Sequence, residues 1–349
     1  MIKIEPFSLF AGNFVTFIVS AIVTRFLIYI NISAFPVLRS SHQIPTPSAG
    51  GLSIILSAFV GTMLYINGFI VEFLGDFKLL IPFGLSTVVL ASISFLDDCY
   101  PISYRVRLFF HFLAAIVFIK ANLILTFPAF PYLEGSIFPQ CFTVFVIISL
   151  INATNFLDGL NGLLSGCVIL NLIVIILMVS LWTVSGFIAS VLIASTLGFF
   201  IYNFPLGKIF MGDVGSTFLG LALGFLALTV QNCLTDQSST AWINKTFILS
   251  LMPMAFLWFD VGFTLFRRAL LGRQLTEAHR DHLFHLLNDA GYSHFFVSGI
   301  YFLSVIVMGF LTLACHHNQI TFLQLIIIYT IFQIIFCSWV LKKSYAMAR

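Results

Sequence analysis

Long apolar runs, separated by short polar stretches, repeat from one end of this 349-residue chain to the other. Many of the runs reach the length of about 20 residues that an α-helix needs to cross a bilayer. None shows the alternation of apolar and polar residues that is typical of membrane β-barrel strands. The pattern therefore predicts an all-α, polytopic membrane protein with about eleven transmembrane helices, at roughly 7–31, 50–73, 78–96, 106–126, 138–155, 162–182, 184–203, 214–232, 246–266, 294–314 and 320–341.

The composition excludes a soluble globular protein of this length. Hydrophobic residues make up 60% of the chain and charged residues only 8%, whereas soluble domains carry about 25% charged residues. The first apolar run is too long for the core of a signal peptide and lacks a convincing small-residue cleavage site, so we expect a retained first helix. We interpret residues 1–349 as a single membrane-embedded domain.

The basic residues are distributed unevenly between the two sets of predicted loops. Eleven lysines and arginines fall in one set and four in the other, while Arg25 lies inside the first helix. Because cytoplasmic loops carry an excess of Lys and Arg, the first set is predicted to be cytoplasmic, the N-terminus periplasmic and the C-terminus cytoplasmic. The predicted cytoplasmic loops, which hold the polar motifs of the chain, cover about 32–49, 97–105, 156–161, 204–213 and 267–293.

Four of the 13 acidic residues stand where apolar segments end, namely Asp97, Asp98, Asp158 and Asp213. Charge beside a bilayer is costly, which favours a functional interpretation. The adjacent Asp97 and Asp98 repel each other unless a cation neutralises them. Arg107 opens the next predicted helix, where its fixed positive charge could meet a phosphate. An incidental pair in a solvated loop is the alternative interpretation of Asp97 and Asp98.

Asn152, Asn155, Asp158 and Asn161 recur at every third position across a predicted helix end. At this spacing, side chains on neighbouring turns can converge on one ligand. The glycines that follow allow the backbone to turn and to approach a ligand closely. An ordinary helix terminus rich in Asn and Asp is the alternative.

Gly212, Asp213, Gly215 and Ser216 begin another predicted helix. Backbone N–H groups at the start of a helix favour anions, and Asp213 supplies the hard oxygen that Mg²⁺ prefers. The alternative is an ordinary helix start capped by Asp or Ser.

His279, Arg280, His282 and His285 lie in the long polar stretch 267–293. Neither a cysteine nor a carboxylate partner completes a zinc set with these histidines. Donation to phosphate oxygens fits the local positive charge better. A plain basic loop is the alternative.

Together and in this order, the motifs resemble the polyprenyl-phosphate N-acetylhexosamine-1-phosphate transferase family, which includes the WecA, TagO and MraY types. The resemblance spans residues about 39–290. It rests on Thr46-Pro47 with Gly50-Gly51, on Phe95–Asp98 followed by Ser103 and Arg107, on Asn152–Leu163, on Phe210–Ser216 and on Ala278–Phe284. The last stretch is most similar to the WbpL-like branch, which starts O-antigen chains.

The resemblance implies an all-α membrane transferase in the bacterial cytoplasmic membrane, with its active site at the cytoplasmic face. The implied reaction transfers a HexNAc 1-phosphate group from UDP-HexNAc to undecaprenyl phosphate and releases UMP, as the first membrane step of O-antigen or other surface polysaccharide synthesis. The sugar stays open between GlcNAc, GalNAc and 6-deoxy forms. The implied cofactor is Mg²⁺, with Mn²⁺ as an alternative, and the resemblance also suggests a homodimer.

The resemblance also assigns roles to residues of this chain. Asp213 is the first choice as metal ligand, with Asp98 and Asn155 as further ligands. Asp97 completes the catalytic group and orients or deprotonates the acceptor phosphate, while Arg107 holds the phosphate of the carrier. The donor is expected to contact Asn152, Asn155, Asp158, Asn161, His279, Arg280 and His282.

Three positions depart from the family pattern. Ser48 stands where WecA and TagO types often have arginine, Asn161 replaces a frequent aspartate, and His285 stands where the closest branch usually has glutamine. The chain also lacks the run of three histidines typical of MraY, which disfavours a peptide-bearing UDP-muramyl donor.

Three other classes of membrane protein stay open as alternatives. An intramembrane prenyltransferase would need two Asp-rich diphosphate motifs and has no place for the 211–216 stretch. A secondary transporter would place ionisable residues near the midplane of two repeated halves, and the sequence shows no such repeat. A non-catalytic lipid-binding protein would not need this set of carboxylates. We expect no nucleic acid as a partner.

Overall fold

The part of the chain that the structure describes forms a bundle of helices with one very short strand pair. The structure, a computed structural model, describes residues 6–31, 33–34, 46–69, 78–100, 102–127, 131–133, 135–235, 245–275 and 279–347. The helices in these ranges are α1 (Pro6–Ile30), α2 (Gly51–Phe69), α3 (Leu80–Cys99), α4 (Tyr104–Lys120), α5 (Phe138–Leu157), α6 (Leu163–Val179), α7 (Val184–Asn203), α8 (Gly212–Thr235), α9 (Lys245–Leu251), α10 (Ala255–Leu270), α11 (Leu283–Asp289), α12 (His294–His316) and α13 (Phe322–Met347). Two 3₁₀ turns cover Pro131–Leu133 and Met252–Met254.

The all-α, multi-pass architecture predicted from the apolar runs is confirmed. Each of the predicted segments overlaps a helix of the described chain. Eight helical stretches in the described ranges are long and apolar enough to cross a membrane, namely Leu9–Ile30, Leu80–Asp98, Phe138–Leu157, Val184–Asn203, Gly212–Gln231, Ile248–Leu270, His294–His316 and Phe322–Ser344. Two further apolar helices, Gly51–Leu64 and Leu163–Val179, are shorter. The number of spans and their orientation stay predictions.

Strand pairing was not predicted for this chain, but a minimal antiparallel pair is present. β1 (Ser33–Ala34) pairs with β2 (Thr46–Pro47), and Ala34 lies opposite Thr46. Most of the predicted loop 32–49 between the two strands lies outside the described residues. The pair adds two residues of strand on each side and leaves the helical fold class unchanged.

The helix boundaries differ from the prediction at the aspartate pair. The expected loop 97–105 begins later than predicted, because α3 continues through Cys99 and carries Asp97 and Asp98 in its last turn. The N–H of Tyr100 donates to the carbonyl of Leu96 at 2.7 Å and closes the helix. Tyr100 is extended, as expected for a residue that precedes a proline. The two carboxylates are therefore held by a helix.

Two more boundaries differ around the long polar stretch 267–293. The predicted span 246–266 is interrupted at Met252–Met254, where Pro253 cannot donate a backbone hydrogen bond to a regular helix. Its second half, α10, runs on to Leu270, and the expected loop contains the short helix α11. The polar stretch is therefore shorter and more ordered than predicted.

α8 is the central helix of the bundle. It packs against α2, α3, α5, α6, α7 and α9, and every residue from Val214 to Gln231 is buried inside the protein. A helix that is apolar all round belongs in a core. Asp213 at the start of α8 is consequently held by the most enclosed element of the fold.

Glycines allow α8 to approach its neighbours closely. A methyl group placed on Gly220 would lie 2.3 Å from Oγ1 of Thr154 and 2.7 Å from Cα of Ile151 on α5. One placed on Gly224 would lie 2.5 Å from Cδ1 of Ile147. Small residues let membrane helices pack backbone against backbone. Gly220 and Gly224 therefore let α5 and α8 pack closely.

This contact gives a testable expectation for Gly220→Ala. The added methyl group meets backbone of α5 and forces α5 and α8 apart, which should lower the free energy of unfolding by roughly 1–3 kcal/mol. Thermal unfolding of the detergent-solubilised protein measures the change. The matched control is Gly84→Ala in α3, where a methyl group would meet nothing within 4 Å and helix propensity favours alanine. Equal melting temperatures for the two variants would contradict the expectation.

Candidate active site

Carboxylates from three separate places in the chain meet at one end of the bundle. Asp97 and Asp98 lie in the last turn of α3, Asp158 directly follows α5, and Asp213 is the second residue of α8. The backbone N–H of Asp213 donates to Oδ1 of Asp98 at 3.1 Å, and Asp158 accepts a hydrogen bond from the backbone of Gly212. The structure thus brings together the four aspartates that were selected from the sequence.

Asp98 caps the start of α8 from a different helix. Its two carboxylate oxygens accept from the N–H groups of Asp213 at 3.1 Å and Val214 at 3.5 Å. The first N–H groups of a helix have no partner within it, and negative charge is favourable beside them. Asp98 therefore ties the end of α3 to the residue that begins the central helix. Each oxygen keeps a further lone pair for a ligand.

Arg107 is the basic side chain that contacts this carboxylate group. Its Nη1 donates to Oδ2 of Asp97 at 2.8 Å and lies 3.4 Å from Oδ2 of Asp213. Oδ1 of Asp97 accepts from the N–H of Ile102 at 2.8 Å, so both oxygens of this carboxylate have a partner. Arg107, predicted to hold the carrier phosphate, is placed beside the carboxylates with about a third of its side chain exposed.

The group carries an excess of negative charge. All ion pairs that the structure describes within it involve Arg107, which leaves four carboxylates against one guanidinium. Burial raises the pKa of Asp158 to about 7, and the charges of Asp213 and Asp98 act in the same direction. Carboxylates that crowd a partly buried site hold protons more tightly for these two reasons. A bound cation would relieve the repulsion.

The residues present fit a hard divalent cation. In the described part of the chain, no three His, Cys, Asp or Glu side chains are already arranged as a closed metal cage. Mg²⁺ does not require one, because it keeps several waters and binds through one or two carboxylates together with substrate phosphates. Asp213 and Asp98, with the amide oxygen of Asn155, are oxygen donors of the kind Mg²⁺ takes.

Asn155 and Asn152 follow one face of α5 at different depths. The side-chain amide of Asn155 donates to Oγ of Ser216 at 3.1 Å and also reaches the carboxylate of Asp213. Asn152, one turn earlier, instead contacts Nδ1 of His111 at 3.3 Å and the carbonyl of Ile148 at 2.8 Å. Asn155 therefore contacts the carboxylate group, while the side-chain contacts described for Asn152 are with His111 and Ile148.

Asn161 is directed to another part of the protein. Its side-chain amide donates to the backbone carbonyl of Pro205 at 3.3 Å. Its backbone carbonyl accepts from the hydroxyl of Ser298 at 2.9 Å. The spacing of three predicted one shared direction for 152–161, but α5 ends at Leu157 and the helical register ends with it. The contacts described for Asn161 join the turn to the loop after α7 and to α12. Its role in substrate binding stays a prediction.

The histidine segment, defined here as residues 279–285, lies against the turn that follows α5. A methyl group on Gly159 would meet Cε2 of Phe284 at 2.8 Å and Nε2 of His285 at 3.0 Å. The ring of His282 is centred 6.1 Å from that of Phe156 and 4.9 Å from that of His279. The segment is thus a neighbour of Asp158, although more than 120 residues separate them in the sequence.

Two of the histidines are neutral at physiological pH. Burial, together with the nearby His282 and Arg268, lowers the pKa of His279 to about 4. Burial and Arg280 lower the pKa of His285 to about 3. Arg280 itself pairs with Asp289 at 2.7 Å. Neither His279 nor His285 therefore adds positive charge to the segment at neutral pH.

Asp260 was not selected as a site residue from the sequence. It is buried in α10, 1% exposed, and its carboxylate accepts from the N–H groups of Leu283 at 2.8 Å and Phe284 at 3.2 Å and from the hydroxyl of Tyr301 at 2.6 Å. Nδ1 of His282 faces it at 3.5 Å. The sequence could have identified Asp260, because a single carboxylate inside an apolar span is costly and therefore suggests a functional residue.

The Thr46–Gly51 motif supports the start of α8 through its backbone. The N–H groups of Gly50 and Gly51 donate to the carbonyls of Phe210 at 3.0 Å and Met211 at 2.7 Å, and the N–H of Phe210 donates to Pro47 at 2.7 Å. A methyl group on Gly51 would lie 2.2 Å from the backbone nitrogen of Gly215. The glycines of this motif are required because two backbones touch there.

Comparison with known proteins shows which family the chain belongs to. The sequence model of glycosyl transferase family 4 matches residues 80–231, a range that contains the four aspartates. The chain is 30% identical over 290 residues to a probable undecaprenyl-phosphate N-acetylglucosaminyl 1-phosphate transferase of Bacillus subtilis, covering 79% of this chain and 75% of that protein.

Two further relatives extend the comparison. A decaprenyl-phosphate N-acetylglucosaminephosphotransferase of Mycolicibacterium smegmatis is 27% identical, over 75% of this chain and 70% of its own length. A phospho-N-acetylmuramoyl-pentapeptide-transferase of Leuconostoc mesenteroides is 30% identical, over 60% of this chain and 68% of its own length. The chain therefore belongs to glycosyl transferase family 4, the polyprenyl-phosphate N-acetylhexosamine-1-phosphate transferase superfamily that its motifs resemble.

Proposed function

We propose that the protein transfers a HexNAc 1-phosphate group from UDP-HexNAc to undecaprenyl phosphate at the cytoplasmic face of a bacterial membrane. The observation that carries the proposal is the convergence of Asp97, Asp98, Asp158 and Asp213 around the first turn of the central helix. The relatives' names support the same reaction type, since they describe transfer of a sugar phosphate to a polyprenyl phosphate or a related carrier.

In the proposed reaction, an oxygen of the acceptor phosphate attacks the β-phosphorus of the donor. A new phosphorus–oxygen bond forms to the carrier, the bond between the bridging oxygen and the β-phosphorus breaks, and UMP leaves with that oxygen. The second pKa of a phosphate monoester lies near 6, so the acceptor is largely a dianion at neutral pH. Catalysis then consists mainly of positioning and charge neutralisation.

The residues take the following proposed roles. Asp213, with Asp98 and Asn155, would hold Mg²⁺ or Mn²⁺, which when bound would supply positive charge for the donor diphosphate. Asp97 and Arg107, joined at 2.8 Å, orient the acceptor phosphate, and Arg107 compensates its charge. The contacts assigned to the donor come from Asp158, Asn152, Asn161, His279, Arg280 and His282.

The pathway and the branch are part of the proposal. The similarity of the 278–284 stretch to WbpL-like proteins favours O-antigen or another surface polysaccharide, with the N-terminus periplasmic and the C-terminus cytoplasmic. The direct test supplies purified protein in bilayers containing undecaprenyl phosphate with UDP-GlcNAc, UDP-GalNAc or their 6-deoxy forms. The proposal expects UMP release together with one lipid-linked sugar diphosphate, identified by mass spectrometry. If no donor yields such a product, the proposed reaction is wrong.

Asp213→Asn should abolish transfer while the protein stays inserted and folded. The change keeps the shape of the side chain but removes the charge that faces the cation, and we expect turnover to fall by at least about 100-fold. UMP release from labelled donor measures it, alongside thermal unfolding. Ser92→Ala, at an exposed position of α3, is the control and should keep full activity. Full turnover of Asp213→Asn would remove its assigned role.

Removing divalent ions should stop UMP release, and adding Mg²⁺ should restore it. A second readout does not depend on activity, since a ligand that binds only the folded state raises stability by about 2.7 kcal/mol at 100 times its dissociation constant. We expect Mg²⁺ to raise the melting temperature of the wild-type protein and to leave that of Asp213→Asn unchanged. Equal shifts in both proteins would place the ion elsewhere.

The lowered pKa of His285 predicts a loss of stability on acidification. The pKa of His285 is about 3 in the folded protein against an ordinary value of 6.5, so below pH 6.5 the unfolded chain binds a proton that the folded one does not. This contribution to stability is complete above pH 6.5 and falls toward pH 3, by at most about 1.4 kcal/mol per pH unit.

His285→Gln should therefore flatten the dependence of the free energy of unfolding on pH between 6.5 and 4.5. Denaturation of the solubilised protein at a series of pH values measures the slope. Ser92→Ala should keep the wild-type slope. If His285→Gln also keeps it, the histidine is not buried in its neutral form.

A further inference from the structure

Asp260 is a buried carboxylate that none of the proposed catalytic roles uses. It lies inside the apolar stretch Ile248–Leu270 and is 1% exposed. Such a charge persists in a membrane protein only when donors surround it. Two backbone N–H groups, the hydroxyl of Tyr301 and, at 3.3 Å, the hydroxyl of Thr264 supply them. Three of these four donors lie outside α10, so Asp260 connects separate parts of the fold.

The part that Asp260 holds is the end of the histidine segment. The two backbone donors belong to Leu283 and Phe284, directly after His282. Nδ1 of His282 is buried and makes no hydrogen bond in the described part of the chain, and Oδ1 of Asp260 lies 3.5 Å from it. Hydrogen bonds of catalytic groups are often long without substrate and shorten when it binds.

A second connection fixes the other side of the same segment. Arg268, 5% exposed and two turns after Asp260 on α10, pairs with Asp281 and donates to the carbonyl of Gln274 at 2.6 Å. The segment is therefore attached to α10 before and after His282. Neither attachment uses the ring of His282 itself, which stays beside Phe156.

The segment transmits this position to the carboxylate group. Phe284, whose N–H bonds to Asp260, packs against Gly159, and Gly159 follows Asp158. The ring of His282 lies between those of Phe156 and Phe284, at 6.1 and 5.5 Å. Phe284 therefore contacts both the ring of His282 and the turn after α5.

The geometry points to Asp260 as a positioning residue. In this role its carboxylate accepts a hydrogen bond from Nδ1–H of His282 and so directs Nε2 of that ring to the donor diphosphate. This inference rests on the proposed function, since it assigns the ligand of Nε2. A carboxylate that accepts from one ring nitrogen sets the tautomer and the orientation of a histidine. Asp260 touches neither substrate nor metal in this role.

A double-mutant cycle distinguishes positioning from a purely structural role. The proteins are Asp260→Asn, His282→Ala and the double variant, each reconstituted in bilayers with undecaprenyl phosphate and a UDP-HexNAc. If Asp260 acts through His282, each single variant lowers kcat/KM by about 10- to 100-fold, and the double variant is no worse than His282→Ala within a factor of two. Residues that act as a unit are non-additive in this way.

Two controls report on folding. Ser304→Ala, a buried position of α12 that bonds only within its own helix at 2.8 Å, should keep full activity. Tyr301→Phe removes one donor from Asp260 and leaves the contact with His282. It should lower stability, but its loss of activity should be smaller than that of Asp260→Asn. Because Tyr301→Phe keeps the carboxylate, it tests the inference even if Asp260→Asn does not fold.

The outcomes separate the two proposals. Non-additive losses, with a milder loss for Tyr301→Phe, support the inference. The inference alone is overturned if the wild-type protein transfers the sugar phosphate but the kcat/KM losses of the two single variants multiply in the double variant. It is also overturned if Tyr301→Phe is as inactive as His282→Ala. A wild-type protein that releases no UMP with any UDP-HexNAc overturns the proposed function, and the role of Asp260 with it.

Discussion

Mutual repulsion among carboxylates at the end of an apolar bundle is the constraint on which the site depends. Asp97, Asp98, Asp158 and Asp213 are brought together although each raises the electrostatic cost of the others. The protein offsets part of this cost with Arg107 and with the backbone N–H groups at the start of α8. The charge that is left over is negative, and in the proposed reaction a divalent ion would neutralise it and allow the donor diphosphate to bind there.

The rest of the bundle supports the start of α8. The helix is enclosed by six neighbours, and glycines at its contacts remove the side chains that would keep these neighbours apart. The backbone of Thr46–Gly51 bonds to Phe210 and Met211 just before the helix begins. A rigid support of this kind matters because a shift of about 1 Å in a reacting group can cost two orders of magnitude in rate.

The histidine segment adds a second layer that is nearly free of charge. His279 and His285 are held neutral by burial and by neighbouring cations, while Arg280 is paired with Asp289. In the proposed reaction the ion would supply positive charge to the donor and Arg107 to the acceptor phosphate, and the histidine segment contributes direction. Asp260 supplies that direction from inside α10, which explains a carboxylate in the middle of an apolar helix.

The sequence by itself determined the fold class, because a backbone in lipid must satisfy its hydrogen bonds within helices. It also identified the four aspartates, since polar residues are rare enough in such a chain to stand out. The tertiary structure decided what each one does. Asp98 became a cap for another helix, and Asn161 left the register of its motif because α5 ends at Leu157. Those outcomes depend on which helices touch, and spacing along one chain carries no information about contacts between helices.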